Sequence, residues 1–393
     1  MGKYGIIQLM NKKILFVVSA LVAFVSSAET VVDVSGVGTA KFSVEIQVAN
    51  SAFVNSLKKN LELSGGFQVG RSGAIKVSGV PGAIKAEGRG KVVTCTMAFA
   101  DDKAARMAAR TLSDAMCEQF CQQKGFARDK IVFLNRGKQQ AKGKAMPGEI
   151  CVCYPDGYDI RQLTNDAKMS VFPRWEKDGQ SILYISDKSG APQIWEMNTV
   201  TGQRRVKWSF KGSPAGVAVS PDGSKVAAVL SFQGNPELYV LQGGSYIRLT
   251  NTPNASEGQP TWSPDGKKIA FVSNESRYPQ IYVIDVATKQ KRRLTSKGTQ
   301  NVDPDWGKDG RIAYITRRGG AYVAVMNPAE GDAGAKLVTD AANWEHPSWS
   351  RDMRHLAANR DRALFVVDTL DGGDKPKQMF SANGNWISPS WIK

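Results

Sequence analysis

The sequence predicts a small α+β domain followed by an all-β propeller of six blades that the C-terminal strand closes, and three observations lead to this fold. An Asp-Gly turn recurs through the C-terminal two thirds of the chain, a Pro-x-Trp motif keeps the same spacing, and the chain ends on a lone strand motif. Four short strands repeated about every 40–50 residues are typical of propeller blades, because one four-stranded sheet cannot bury both faces and stacks on its neighbours.

The spacing of the turns sets the length of one blade. The Asp-Gly pairs begin at Asp178, Asp222, Asp265 and Asp309, at intervals of 44, 43 and 44 residues, and a degenerate Asp352-Met353 follows 43 residues later. The tryptophans keep the same period, at Trp175, Trp262, Trp306, Trp349 and Trp391, with Val219 at the skipped position. Glycine suits these turns because a tight hairpin requires a positive φ.

One repeat shows the strands of a blade most clearly. After the Pro264-Asp265-Gly266 turn, the sequence predicts a second strand over 268–272, a third over 280–284 and a fourth over 291–295. Apolar and β-branched residues fill the second and third strands, as expected for strands buried between neighbouring blades.

The two ends of the repeat predict how the ring closes. The last residues, 387–392, have the motif of a first strand, whereas 130–134, 149–153 and 158–164 have those of a second, third and fourth strand without a first. We therefore predict that the C-terminal strand joins blade one and gives six blades. Such a closure removes exposed sheet edges.

The N-terminal residues predict export from the cytoplasm. Lys12-Lys13 precede an apolar run over 14–25, and Ser26-Ser27-Ala28 supply small residues, so residues 1–28 have the three regions of a signal peptide cleaved before Glu29. A membrane anchor is the alternative, but the run is shorter than the ~20 residues that span a bilayer. Met10 is an equally suitable start.

Residues 29–128 lack the repeat and alternate strands with helices. The pattern predicts strands over 31–34, 42–48 and 91–99 and helices over 52–63 and 102–123, with Gly65-Gly66 ending the first helix. We predict a separate α/β domain over these residues and a propeller domain over 129–393, because about 100 residues can form a core of their own.

The organisation resembles the TolB family of the Tol-Pal envelope system. The similarity covers the repeat and also the segments around the predicted joint between the domains: Phe53–Leu57 with Ser64–Phe67, Leu112–Ala115 with Lys124–Arg128, Ile131–Phe133, and Tyr154–Tyr158. The chain departs from the family in a shorter stretch around Gly70 to Gly90 and in its five cysteines.

The resemblance implies a scaffold in the periplasm. It implies that the propeller mouth docks a peptidoglycan-associated lipoprotein (Pal-like), and that the start of the mature chain binds an inner-membrane protein (TolA-like). That start comprises Glu29, Thr30, Val31, Val32, Asp33 and Val34. It also implies a role in envelope integrity, protein transport and constriction during cell division, with no catalysis, no cofactor and no metal. We expect a soluble monomer.

Propeller geometry brings the segments that enter the innermost strands together around one mouth. In this chain the candidate partner-binding residues there are Ser213, Gly216, Glu257, Gly258, Gln259, Asn301, Asp303, Glu345, His346, Asn385 and Ser388. Those around Ser213–Gly216 and Glu257–Gln259 align best with the partner-binding loops of the family.

Two other functions remain open on the sequence. A six-bladed enzyme of the lactonase type would hold a divalent ion through the oxygen donors Glu257, Asn301, Asp303 and Glu345. An exported binding module of other specificity is the second, since unrelated functions share this architecture. A hydrolase triad has no support, because the chain contains two histidines and no Gly-x-Ser-x-Gly motif.

The formal net charge is +16, which favours anionic partners. An exported chain rarely meets nucleic acid, so we expect an acidic protein, lipid head groups or cell-wall polymer instead, or a charge that serves solubility alone. The stretch Arg136 to Lys144 is basic and is predicted to be an exposed loop of blade one.

Five cysteines form an odd set: Cys95, Cys117, Cys121, Cys151 and Cys153. Cys151 and Cys153 lie on one face of a predicted strand, too far apart for a bond to each other. Any bridge is therefore expected to link the second helix to Cys95 or to blade one, with buried unpaired thiols as the alternative.

Overall fold

The computed structural model describes residues 41–136, 148–232, 234–370, 375–380 and 384–392. Its N-terminal part is a five-stranded sheet with two helices. The strands are β1 Phe42–Gln47, β2 Phe67–Gly70, β3 Ile75–Val80, β4 Ala83–Gly88 and β5 Lys91–Cys95, in the order β2-β1-β3-β4-β5. The helices are α1 Ser51–Leu63 and α2 Asp102–Met116, and a π-helical turn over Cys117–Cys121 extends α2.

Both helices begin at a side-chain cap and pack on one face of the sheet. Asn50 accepts a hydrogen bond from the backbone N–H of Phe53, and Asp101 accepts one from Ala104, the usual way in which free N–H groups at a helix start are satisfied. The sequence analysis missed β2, β3 and β4, and it extended the strand over 91–99 past its end at Cys95. The predicted strand over 31–34 lies outside the described residues.

The rest of the described chain forms six four-stranded sheets. Blade one comprises β6 Ile131–Asn135, β7 Glu149–Cys153 and β8 Arg161–Gln162. Blade two comprises β9 Ser170–Trp175, β10 Ser181–Ser186, β11 Gln193–Asn198 and β12 Arg204–Trp208. Blade three comprises β13 Ser213–Val219, β14 Val226–Ser231, β15 Glu237–Gln242 and β16 Ser245–Arg248.

Blade four comprises β17 Glu257–Trp262, β18 Lys268–Ser273, β19 Gln280–Asp285 and β20 Lys291–Arg293. Blade five comprises β21 Gln300–Trp306, β22 Ile312–Arg317, β23 Ala321–Met326 and β24 Lys336–Leu337. Blade six comprises β25 Trp344–Trp349, β26 His355–Arg360, β27 Ala363–Asp368 and β28 Lys377–Gln378, and β29 Trp386–Trp391 follows. The predicted fold class is thereby confirmed, whereas the domain bounds 29–128 and 129–393 stay predictions.

The C-terminal strand closes the ring as predicted. β29 pairs antiparallel with β6, from Trp386 opposite Asn135 to Trp391 opposite Ile131, and becomes the innermost strand of blade one. Trp391 is 1% exposed and its ring meets that of Phe126 edge to face at 5.2 Å. The first and last strands of the propeller thus share one sheet and one apolar cluster.

The Asp-Gly turns have the conformation that their sequence predicts. Gly179, Gly223, Gly266 and Gly310 all have φ between 64° and 90°, and Met353 takes the same region at 55° where glycine is replaced. In the turn of blade four, Asp265 accepts hydrogen bonds from Ser263 and from the backbone of Lys267. These bonds lower the pKa of Asp265, with Ser263 the larger cause.

A buried charge cluster joins the helices to blade one. Arg110 is fully buried and donates two hydrogen bonds of 2.9 Å to Asp156, which lies between β7 and β8. Ser56 and Asn60 of α1 donate to the same carboxylate. Arg106 pairs with Asp159 at 2.7 Å. The carboxylate is satisfied on all sides, which is what a buried ion requires.

A second cluster joins the end of α2 to blade six. The Arg354 guanidinium pairs with Asp368 and also donates to Gln123 at 2.6 Å. His355 is 1% exposed, with its Nδ1 2.6 Å from Asp352 and its Nε2 3.6 Å from Asp368. Burial alone lowers the pKa of His355, but the two carboxylates outweigh burial and raise the pKa above its ordinary value.

The cysteines form no bridge, which agrees with the alternative of buried unpaired thiols and not with a link from the second helix. All five are free, and four of them are buried. Burial raises the pKa of Cys121 to about 11 and of Cys151 to about 12, and it raises the pKa of Cys117 and Cys153 further still. A raised pKa keeps these thiols protonated near neutral pH, and the thiolate is the nucleophilic form.

The closure generates a test of stability. Trp391→Ala should lower the free energy of unfolding by about 3–5 kcal/mol, because it opens a cavity in the cluster that joins the chain's two propeller ends. Chemical denaturation followed by circular dichroism measures this loss. Val200→Ala, at a side chain that is 55% exposed, serves as control and should cost under about 0.5 kcal/mol. Equal losses in the two variants would contradict the closure.

His355 generates a test of pH dependence. A histidine with a raised folded pKa stabilises the protein fully below its unfolded pKa of about 6.5 and loses that contribution as pH rises through the folded value. The free energy of unfolding should therefore fall above pH 6.5, by about 1.4 kcal/mol for each pH unit that separates the two pKa values.

The control for this test must allow for Asp129. Burial raises the pKa of Asp129 to about 7, which also makes stability fall as pH rises. The Asp129 contribution is lost between the ordinary carboxyl pKa of about 4 and about pH 7. We therefore compare the slope above pH 7 in the wild type with that in His355→Gln, where it should be smaller, and in His346→Gln, where it should be retained. A slope unchanged by His355→Gln would show that the buried pair does not titrate as described.

Candidate functional site

The axis of the propeller is a channel of about 650 Å³. The innermost strands of all six blades line it. One opening, the mouth face, is formed by the loops that enter the innermost strands and by the turns between second and third strands. The opposite opening, the turn face, carries the Asp-Gly turns.

A repeated bulge shapes the mouth. The pairing of the innermost strand with the second strand shifts register in all six blades, for example between Gly258 and Thr261. In five blades one residue of the bulge has φ near 50°: Phe172, Gln259, Asp303, His346 and Ser388. Each of the five is followed by proline, although a following proline normally restricts a residue to extended backbone. Bulges of this kind re-aim a side chain.

The re-aimed side chains link neighbouring blades. Gln259 Oε1 accepts a hydrogen bond from the Asp303 backbone N–H at 2.9 Å, and Asp303 Oδ2 accepts one from the His346 N–H at 3.1 Å. The Gln259 side-chain amide also donates to Asp303. At the next junction Asn359 Oδ1 accepts from the Ser388 N–H at 3.2 Å. These bonds form a chain from blade four to blade one.

A second layer of bonds lies two residues further along each strand. Thr261 accepts from the Trp306 N–H at 3.0 Å, Asp305 from Trp349 at 2.8 Å and Ser348 from Trp391 at 3.0 Å. The periodic tryptophans therefore serve both packing and inter-blade hydrogen bonding.

Arg174 occupies the same position in blade two and projects a cation into the channel. Its recorded hydrogen bond goes to the carbonyl of Pro173 at 3.0 Å. Burial lowers the pKa of Arg174, and Asp305 and Asp303 across the channel oppose that effect. The channel therefore carries charges of both signs.

The structure places four of the predicted site residues in the channel: Gly216, Gln259, Asp303 and His346. Ser213 is exposed at the start of β13, and Gly258, Glu345 and Asn385 are half-buried at the strand entries. Glu345 accepts a hydrogen bond from Asn359 at 2.9 Å.

Glu257, Asn301 and Ser388 are corrections to the predicted surface. They are 4%, 0% and 3% exposed, so none presents a side chain at the mouth. Glu257 accepts a hydrogen bond from Thr252 at 2.7 Å, and Asn301 donates to Gln280 at 2.8 Å. Burial raises the pKa of Glu257. Their sequence position near the mouth was right, but their side chains point between the blades.

The oxygen donors proposed for a lactonase-like metal site do not converge. Across the described parts of the chain, no group of three or more His, Cys, Asp or Glu side chains has the arrangement of a metal site. The side chains of Glu257 and Asn301 face the interior of the blades, away from Asp303 in the channel. This geometry gives the enzymatic alternative no support.

Three other predictions concern residues that lie wholly or mostly outside the described ranges. These are the signal peptide, the segment Glu29 to Val34 and most of the basic loop Arg136 to Lys144. Within the ranges that are described, none of the helices combines the length and the apolar character needed to cross a bilayer.

The sequence analysis missed Phe172 and Arg174 of the channel wall. The signal was present, because Phe172 precedes Pro173 at the spacing of the other bulge residues. Blade two was aligned with the other blades through Trp175 alone, so the position of Pro173 was not used.

These features define the class of protein as a six-bladed propeller with an α+β domain before it. A family model described as the TolB beta propeller domain matches residues 117–393. The chain therefore belongs to the TolB propeller family, as the sequence motifs predicted.

Individual relatives agree with this assignment. The chain is 31% identical over 149 residues to the Tol-Pal system protein TolB of Desulfosudis oleivorans, which is 37% of this chain and 32% of the relative. It is 29% identical over 175 residues to that of Anaeromyxobacter dehalogenans, 44% of this chain and 38% of the relative. The aligned regions thus span about a third of the length of these curated relatives.

The fold is also that of a solved structure. The crystal structure of TolB from Acinetobacter baumannii superposes with a TM-score of 0.72 at 21% identity, covering 89% of this chain and 96% of that chain. At this identity the likeness concerns the fold.

The hydrogen bonds around the channel generate a third test. Asp303→Ala removes the acceptor of the His346 N–H and of the Gln259 amide, and leaving such groups unpaired costs about 1–3 kcal/mol each when they are buried. Since both are half-buried, we expect a loss of about 1–3 kcal/mol in the free energy of unfolding by urea denaturation. Glu87→Ala, at an exposed carboxylate of β4, is the control and should change stability by less than about 0.5 kcal/mol. An Asp303 variant as stable as this control would refute the role of the chain of bonds.

Proposed function

We propose that this protein is a periplasmic scaffold of the Tol-Pal system whose propeller mouth docks a peptidoglycan-associated lipoprotein. The observation that carries the proposal is the open mouth. All recorded contacts of the α+β part fall on the turn-face side or the outer edge of blades one and six, through Asp156, Asp159, Arg351, Arg354 and Gln378. Among the described residues, none of the α+β part covers the mouth face.

The mouth suits recognition of a protein. The residues at its centre are held by backbone bonds between blades, so they are pre-organised and lose little freedom on binding. Gln259, Asp303 and His346 offer donors and acceptors in a recess, as expected at the polar part of an interface.

The proposal extends to the other end of the chain. The predicted signal peptide places the protein in the periplasm, and the segment Glu29 to Val34 would then bind an inner-membrane TolA-like protein. By linking the two partners the scaffold would support outer-membrane integrity and constriction during division. It would act without a cofactor and without catalysis.

A binding experiment tests the proposal. Purified lipoprotein from the same organism should bind the protein in calorimetry, and His346→Ala should weaken the affinity about fivefold or more, since truncating an interface residue at the centre costs upwards of about 1 kcal/mol. Lys289→Ala, on the turn face, is the control and should bind as the wild type does.

A deletion separates the two partner sites. Removal of residues 29–36 should abolish capture of the inner-membrane partner and leave lipoprotein binding unchanged. Failure of the wild-type protein to bind the lipoprotein, in a sample whose folding is verified by circular dichroism, would refute the docking function.

A further inference from the structure

The loops of the mouth face carry a rim of cations. Its members lie at the ends of second strands or in the loops before innermost strands, and they are Arg136, Lys168, Lys211, Arg277, Lys297, Arg317, Arg318 and Arg362. All except the half-buried Arg317 are exposed. We call this set the basic rim.

The cations of the basic rim have no carboxylate partners. None of the eight forms an ion pair with any residue in the described part of the chain. Exposed arginine and lysine side chains without a partner contribute their full charge to the field above the surface.

The acidic side chains of the same face are already engaged. Asp166 pairs with Lys188 and Arg204, and Glu275 pairs with Lys291. Asp340 lies 3.9 Å from Arg360. Asp361 accepts a hydrogen bond from Asn343, and Asp187 one from the Met169 N–H. Because these donors are neutral, the two carboxylates keep their charge and offset two of the eight cations. The mouth face therefore has a positive excess that its own acids do not cancel.

The turn face has no such excess. Blades two to five each contribute an exposed aspartate there, such as Asp178, Asp222 or Asp265, near a lysine such as Lys177, Lys225 or Lys267. The charge of the propeller is thus polarised along its axis, with the positive excess around the mouth.

We propose that the basic rim recognises an acidic protein surface that surrounds a protruding group, and that the group enters the channel. This inference rests on the proposed docking function and adds the chemistry of the partner. The recess behind the rim favours a protein over a bilayer, because Gln259, Asp303 and His346 lie inside the channel and a flat lipid surface cannot reach them.

Apolar exposure on this face also argues against a lipid surface. Among the large apolar side chains that the described residues expose, Tyr278 is the one in the loops of the mouth face. Membrane-surface binding combines basic residues with several inserted apolar side chains, whereas steering of a protein needs charge alone.

Charge reversal on two faces tests the inference. Lys297→Glu combined with Arg318→Glu changes the basic rim, and Lys267→Glu combined with Lys289→Glu changes the turn face by the same net charge. We measure association rates with the purified lipoprotein by stopped flow at low salt and at high salt.

The rim variant should associate about tenfold or more slowly than the wild type at low salt, because steering raises association rates by about 10–10³. The difference should shrink to less than about twofold at high salt, where exposed charges are screened. The turn-face variant should stay within about twofold of the wild type in both conditions. Equal rates for the two variants would overturn the inference and leave the docking function standing.

A second arm does not depend on the lipoprotein. Fluorescent polyglutamate, vesicles of anionic lipid and duplex DNA are offered to the same three proteins. We expect polyglutamate to bind in a salt-dependent way that the rim variant loses and the turn-face variant keeps. Rim-dependent binding of vesicles or DNA without binding of polyglutamate would overturn the inference. Absence of lipoprotein binding together with rim-dependent polyglutamate binding would refute the docking function only.

Discussion

From blade four round to blade one, the propeller depends on hydrogen bonds that cross from the innermost strand of one blade to that of the next. A side chain of one strand accepts from a backbone N–H of its neighbour, at Gln259 and Asp303 in one layer and at Thr261, Asp305 and Ser348 in the other. Each bond contributes about 1 kcal/mol. Together with apolar packing, these bonds fix the angle between the blades that they join. The strand β29 then pairs with β6 and closes the ring.

The same bonds determine what the mouth can do. Asp303, a bulge residue with positive φ, is held in place because its backbone N–H and its side chain are both used between blades. The polar groups at the channel entrance therefore have fixed positions, set by six sheets instead of by one loop. A partner meets a preformed surface, and the unpaired cations at the periphery lie on the turns that this frame supports.

Much of the fold could be predicted from the sequence because its cause is local. The Asp-Gly turns need positive φ, and their spacing fixes the blade length, so the blade count and the closure at Trp391 followed. The burial of Glu257 and Asn301 could not be predicted in this way. Their side chains lie ahead of a bulge that shifts the alternation of inward and outward positions, and that shift depends on pairing with the second strand.

The junction between blades two and three lacks the inter-blade hydrogen bonds found at the other junctions. Indole N–H groups bridge blades one and two through Trp175 and blades three and four through Trp262, and the remaining junctions carry the side-chain bonds described above. Between β9 and β13, the described residues show no such bond, because Arg174 and Gly216 have no side-chain acceptor. An apolar cluster packs between these two blades. Thermal separation of neighbouring blades should therefore start between blades two and three. If the channel widens to admit a large group of a partner, it would widen on that side.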